Sequence, residues 1–515
     1  MLYNGLPDME GILPFLRQKR VFVFACIALL FAMLAAFAPS LRHPFMSDDY
    51  HVLASLAGGP WDLRFFWTGD GKYMIPVTKL LWVLEYALFG TEAKGYHVVS
   101  LLLHGVNTVL VVLFFGRLLK SKWSGLLTGA FFALSASHWR TAMWMSAQMK
   151  LLAAFFLLLG LFAFFRFLKT GRKKFLVLTV LAQIGMPFSS ALGMELPFVL
   201  ALFFLFMKRQ SGQRRATDRQ VWQLLVGLLV LCLTYVLLQR ILYAHANPYF
   251  LSAQGIGAAL RNLLTAGGWV LVGLFEGFGH AMTGFFWGAN LSIFGLHGAA
   301  FPLSIRLIPL GVLAILLLLP KRKGFWMLTL LFCAWTVLLY VPPVLPDIAQ
   351  GFTLDWFVTR ARYFYVPAIP AAALLTVLLT GVRLPRRRPL LRGALCVLLP
   401  LFAAFMLCAN LGRIATLESY ASDITEGFAV ARDAYVHDLR QLLGRTWGTQ
   451  VVTITDAPMG PVTGFEYAGH NVLPSHLAKT YLIPDECASF RFLPVGVPAE
   501  YTVSGKGTLW PPVRR

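Results

Sequence analysis

Apolar runs of about twenty residues recur along most of the chain, separated by short basic turns. Such runs read as membrane-spanning helices, because roughly 20 residues cross a hydrocarbon core of about 30 Å. The first, 21–40, follows Arg17-Gln-Lys-Arg20, exceeds a signal-peptide core and lacks a small-residue cleavage site, so it reads as a retained first span. Further spans are predicted at 97–118, 124–141, 150–168, 174–190, 191–207, 221–240, 303–320, 324–342, 364–382 and 391–410. Residues 241–300, rich in Gly and aromatics, must cross an even number of times, as a re-entrant or interfacial hairpin or as two spans. The expected fold class is an all-α polytopic membrane protein with about eleven transmembrane helices, thirteen if 241–300 crosses twice.

Two stretches break the pattern. The connection after the first span, 41–95, carries Leu80, Leu81, Leu84, Ala87 and Leu88 at helical spacing, with Lys79 and Glu85 elsewhere. Residues 76–89 therefore read as an interfacial amphipathic helix, and Trp61, Phe65, Phe66 and Trp67 suit headgroup depth. After Asn410 hydropathy falls; Ile414, Leu417, Ile424, Phe428, Tyr435, Leu439 and Leu442 mark an amphipathic helix, and Val451-Val-Thr-Ile-Thr455 a strand. The division expected is a transmembrane domain, 1–410, and a small external α/β domain, 411–515.

At 58% hydrophobic and a mean hydropathy of +0.67, the 515 residues are not those of a soluble globular protein. The net charge of +22 would suit nucleic acid. Much of it falls instead in short loops such as Lys120-Ser-Lys122, Arg172-Lys-Lys174 and Arg386-Arg-Arg388, the mark of cytoplasmic loops that meet anionic lipid. That orientation puts the 41–95 loop and the C-terminal domain outside. The six cysteines show neither a disulfide framework nor metal-ligand spacing.

Candidate chemistry gathers at the outer helix ends. Asp48 and Asp49 lie just past the first span, in His43-Pro-Phe-Met-Ser-Asp-Asp-Tyr50. Carboxylates there can hold a metal, act as a base or steady a developing positive charge; the plainer reading is a solvated loop. His97, His138, Arg140, Lys150, Glu195, Arg360 and Arg362 fall at the same level. A transporter would hold its charges near the midplane, whereas an enzyme acting on a lipid headgroup needs cations and carboxylates here. Each has a structural alternative. His97, His104 and Asn107 share a helix face and read as an interhelical hydrogen-bond seam. Arg140 and Lys150 are also placed to snorkel, Arg360 and Arg362 to anchor a span, and Lys72 and Lys79 to be solvated or lipid-facing. Glu195, an acid in an apolar run, needs a partner.

Taken together, Asp48-Asp-Tyr50, Tyr73 to Pro76, Gly95-Tyr-His-Val-Val-Ser-Leu-Leu-Leu-His-Gly-Val-Asn107, Phe132-Ala-Leu-Ser-Ala-Ser-His138, Trp144, Leu151-Leu-Ala-Ala154 and Arg362-Tyr-Phe-Tyr-Val-Pro367 resemble the GT-C superfamily of membrane glycosyltransferases, nearest the protein O-mannosyltransferase group. The resemblance covers about 40–210 and 355–375. It implies a GT-C fold in a bacterial inner membrane, with the active site and C-terminus facing outside. It further implies an inverting hexosyltransferase that moves a sugar from a polyprenyl-phosphate donor to an acceptor hydroxyl on protein, lipid or glycan. Asp48 or Asp49 would be the base or electrostatic contact. Arg140, Lys150, Arg360, Arg362 and Lys72 would hold the lipid phosphate, supported by His97, His138, Glu195 and Tyr363. No cofactor is assigned, and a divalent metal is left open. Rival readings are a lipid-linked glycan transporter or flippase and a non-catalytic membrane scaffold. The chain departs from the family where Arg140 and Lys150 replace acids, Ile75 an arginine and Met194 a lysine, and no tetratricopeptide repeats follow.

Overall fold

The computed structural model describes residues 9–46, 48–59, 61, 63–67, 74–190, 193–208, 216–243, 257, 261, 303–322, 324–349, 364–383 and 389–446. Of the C-terminal part it describes 451–455, 474–482, 484–488, 490–493, 499–503 and 509–510. Most of these residues are helical: α1 (Met9–Phe37), α2 (Asp49–Ala57), α3 (Leu63–Trp67), α4 (Pro76–Phe89), α5 (Ala93–Leu118), α6 (Lys122–Ala133), α7 (Trp139–Met143) and α8 (Gln148–Thr170). They continue with α9 (Lys173–Ser189), α10 (Leu196–Lys208), α11 (Asp218–Tyr243), α12 (Leu303–Leu318), α13 (Phe325–Ala349), α14 (Ala368–Thr380) and α15 (Pro389–Thr446). The C-terminal part adds β1 (Val452–Thr455), α16 (Pro474–Tyr481), α17 (Pro484–Ala488), β2 (Phe490–Leu493), β3 (Thr502–Val503) and β4 (Leu509–Trp510). β1 and β2 pair in parallel, β3 and β4 antiparallel. The chain is thus an all-α polytopic architecture with a small C-terminal α/β unit.

Among the described residues, five helices are long and apolar enough to cross a membrane: Arg20–Arg42, Ala93–Leu118, Met145–Thr170, Asp218–Leu242 and Pro389–Ser419. Shorter apolar helices, Leu196–Lys208, Phe325–Tyr340 and Ala368–Thr380, pack with them, and the chain is an integral membrane protein. The predicted crossings in 241–300 lie outside the described residues, Gly257 and Arg261 apart.

α8 is the hub of the bundle. Leu157, Leu158, Leu161 and Phe164 are buried within one cluster with Phe114 and Phe115 of α5, Phe203 of α10 and Phe332 and Trp335 of α13. Phe115 and Trp335 stack with centroids 6.0 Å apart. Lipid is as apolar as these side chains, so close van der Waals packing holds them together. Small residues make it possible at the α5–α6 contact: a Cβ on Gly125 would drive into the Val112 carbonyl and the Gly116 backbone.

One predicted span is corrected. Residues 124–141 read as one helix, but α6 ends at Ala133 and two short 3-10 turns bracket α7 before α8 begins. Non-helical backbone survives at this depth only where its polar groups find protein partners. Here Asn410 of α15 accepts from the Ala136 amide at 2.9 Å, and the Ser135 and Ser137 hydroxyls bond at 2.8 Å.

α15 runs unbroken through residue 410 for 58 residues, a length of about 87 Å at 1.5 Å per residue. It carries the chain from the bundle to the C-terminal unit. Its Tyr435, Leu439 and Leu443 join Tyr50, Leu53 and Leu56 of α2, Trp82 of α4, Ile454 of β1 and Leu477 of α16 in a second core. α2 therefore lies between the bundle and the C-terminal unit.

Candidate active site

Asp48 precedes α2 at its N-cap position without a side-chain capping bond and is half-buried, while Asp49, the first residue of the helix, is 0% exposed. Asp49 Oδ1 accepts from the Ser146 amide at 2.9 Å and the Ser146 hydroxyl at 2.7 Å; Oδ2 accepts from the Met46 amide at 3.2 Å. Burial pushes its carboxyl up to about 7 against the pull of these bonds, and the charge of Asp48 adds to the rise. Asp49 therefore fastens the start of α2 to the short turn before α8.

That turn lies between the two predicted cations along the chain. The Arg140 guanidinium lies 5.1 Å from the Trp144 ring, and Trp144 packs in a small cluster with Met46, whose amide bonds Asp49. Lys150, four residues after Ser146, donates to the Ser190 hydroxyl at 3.1 Å and feels the opposite charge of Glu195. Both cations are buried, so the snorkelling reading is corrected: the protein interior holds them, and Lys150 lies within electrostatic reach of Glu195.

The histidines belong to a structural seam. His97 bonds the His43 carbonyl at 2.9 Å. His104 Nε2 lies 3.1 Å from the Ala133 carbonyl, which can only accept, so Nε2 carries the proton and Nδ1 accepts from Tyr365 at 2.8 Å. Asn107 donates to Leu151 O and the Tyr365 hydroxyl, and His138 lies against the Tyr365 ring with centroids 4.5 Å apart. His138 thus joins α5, α6 and the stretch before α14 and is not brought to the aspartates by any of these contacts. Lys72, Arg360, Arg362 and Tyr363 lie outside the described residues.

Sequence reasoning missed the underside of α4. Its leucines do face outward, with Leu88 75% exposed, but its polar stripe turns into protein. Lys79, expected solvated or lipid-facing, is 2% exposed and donates to the Phe65 carbonyl at 2.8 Å. Glu85 is 1% exposed and accepts from Gln148 at 2.7 Å. Burial pushes its carboxyl up to about 9, with the charge of Asp49 adding to the effect. The signal was present: Thr78, Lys79, Trp82 and Glu85 repeat at helical spacing opposite the leucines, a second face that needed a partner. Among the described residues no three of His, Cys, Asp and Glu form a metal-binding group.

At the C-terminal side, Arg432 donates to the buried Tyr50 hydroxyl at 3.2 Å, lies 5.5 Å from the Tyr481 ring and pairs with Asp433 at 2.7 Å. His43 and Glu418 form a second, buried link to α15 at 2.7 Å. The stretch carrying the aspartates is thus held from three sides.

No family model matches the chain. It is 33% identical over 145 residues to the protein O-mannosyl-transferase Tmtc2 of Drosophila melanogaster, over 25% of this chain and 16% of that protein. The match spans well under two thirds of that relative's length. Among solved structures, the Archaeoglobus fulgidus oligosaccharyltransferase tethered with an acceptor peptide is 13% identical, with a TM-score of 0.45 over 94% of this chain and 65% of that one. ArnT from Cupriavidus metallidurans bound to undecaprenyl phosphate is 14% identical, with a TM-score of 0.41 over 85% of this chain and 83% of that one.

Proposed function

We propose that this chain is a membrane glycosyltransferase that moves a hexose from a polyprenyl-phosphate donor to an acceptor hydroxyl. The observation that carries the reading is the bond between Asp49 and Ser146. It ties the carboxylate pair to the turn that lies between Arg140 and Lys150 in the chain, which supports a site combining acid–base groups with cations for a phosphate. The protein O-mannosyl-transferase match supports the same chemistry.

In this reading the acceptor oxygen bonds to the anomeric carbon on the face opposite the phosphate. The carbon–oxygen bond to phosphate breaks, its electron pair leaves with the polyprenyl phosphate, and the anomeric centre inverts. Asp48, half-buried at the start of α2, takes the hydroxyl proton. Asp49, shielded and bonded through both oxygens, holds α2 in place. Arg140 and Lys150 meet the charge growing on the leaving phosphate, where a buried site gives fixed cations their greatest effect. The reading sets the site on the outer face of a bacterial inner membrane, and the basic loops support the outward orientation.

The test supplies protein in lipid nanodiscs with labelled polyprenyl-phosphate hexoses and a membrane extract as acceptor source. Wild type consumes one donor, and Asp48→Asn lowers kcat by about 100-fold or more, the loss expected of a general base. Donor consumption by neither protein, or equal consumption by both, refutes the proposal.

A further inference from the structure

Glu85 is a buried acid beside this site that the reaction as written does not use. Its neighbours make it unusual. Gln148, the first residue of α8, lies with its amide nitrogen 2.7 Å from Glu85 Oε1, 3.1 Å from the Tyr96 carbonyl and 3.1 Å from the Ser100 hydroxyl. Ser100 in turn donates to the Tyr96 carbonyl at 3.0 Å. The amide group has two hydrogens, so one goes to Glu85 and the other to the Tyr96–Ser100 pair. Glu85 Oε2 and Gln148 Oε1 are both buried and have no hydrogen-bond partner among the described residues.

Asp49 of α2, itself an acid, acts electrostatically on Glu85, and Glu85 in turn acts on Tyr96 of α5. An ionised Glu85 would hold a full charge on one neutral hydrogen bond, next to a second carboxylate, with one oxygen bare. A proton on Glu85 removes that charge and turns the bare oxygen into a hydroxyl.

Gln148 sits two residues after Ser146, which grips Asp49, and two before Lys150. What fixes Gln148 fixes both at once. We propose that Glu85 works as an uncharged acid and positions the active site through Gln148, setting Asp49 by way of Ser146 and the phosphate-binding Lys150 together. The inference rests on the glycosyl-transfer reading of the site. Glu85 is a positioning residue and touches no reacting atom. Burial, which holds its carboxyl at about 9, supports the same state.

Two measurements test it, and the first needs no turnover. An infrared difference spectrum, wild type minus Glu85→Gln at about pH 7, is expected to show the carbonyl stretch of a protonated carboxylic acid. Its absence overturns the inference whether or not the protein proves to be a transferase. The second is kinetic. Glu85→Gln, which keeps the shape of the neutral acid, holds kcat within about threefold of wild type, whereas Glu85→Ala lowers it by roughly 100-fold, the scale of a misplacement near 1 Å. Wild-type turnover falls above about pH 9 as Glu85 ionises, and Glu85→Gln lacks that fall. Equal loss in both variants, or none in Glu85→Ala, overturns the inference. Wild type inert toward every donor, with the infrared band present, sinks the transferase reading alone.

Discussion

Replacing Asp49 by asparagine separates the charge of this residue from its hydrogen bonds, because the bonds count at every pH and the charge only where the carboxyl ionises. The amide oxygen of the introduced side chain can keep both bonds from Ser146, but its NH2 then faces the Met46 amide, donor against donor. One lost bond and a buried unsatisfied N–H cost about 1–3 kcal/mol at every pH. The charge works the other way. Burial moves the carboxyl from its ordinary 3.8 to about 7, which corresponds to roughly 4 kcal/mol at about 1.4 kcal/mol per tenfold change.

At low pH Asp49 is protonated in both folded and unfolded chains, and the proton's contribution is fully present. Between about 4 and 7 the unfolded carboxyl ionises while the folded one resists, so the folded state binds more protons and stability falls as pH rises. Above that window the loss is complete. Asp49→Asn has no such slope. It is therefore less stable than wild type by about 1–3 kcal/mol at low pH and more stable by a similar amount at about pH 8, with a crossing between. Thermal unfolding in one detergent, followed by the fluorescence of the 14 tryptophans, reads the difference. A difference that is the same at both pH extremes refutes the argument that Asp49 is buried as an acid of raised affinity for its proton.

Two further outcomes test the flanks of the site. Lys150→Ala raises the donor KM by about tenfold or more while Lys150→Arg restores most of it, measured in the nanodisc assay, because the lost group is a phosphate cation. Arg432→Ala releases the contact between Tyr50 and Tyr481, so amide hydrogen exchange rises in α2 and α16 and stays unchanged in the α8 hub. Exchange that rises evenly through the bundle would show instead that the substitution unfolds the protein at large.

Much of this architecture was legible in order along the chain. The runs at 97–118 and 221–240 lie within α5 and α11, the 76–89 periodicity matches α4, and β1 lies within 451–455. Local pattern suffices there because a membrane helix satisfies its own backbone and needs only enough apolar length. The 124–141 span failed for the complementary reason. Its backbone stops being helical where Asn410, far along the chain, supplies the missing partner.

The sequence by itself also put forward the candidate site, two aspartates and a set of cations expected at one level of the helix ends. Their roles were decided only by the fold. Neighbouring aspartates look alike in a string of letters, yet one is half-buried and the other sealed against Ser146. Arg140 and Lys150 suited snorkelling as well as phosphate binding in the sequence; their burial against a ring and a hydroxyl argues against snorkelling. Glu85 read only as a polar position of the 76–89 helix because its partner, Gln148, lies 63 residues away. Helix period and apolar length are properties of neighbouring residues, so the chain states them directly. Burial, and with it a group's charge and proton affinity, belongs to contacts between distant residues and exists only once the bundle has closed.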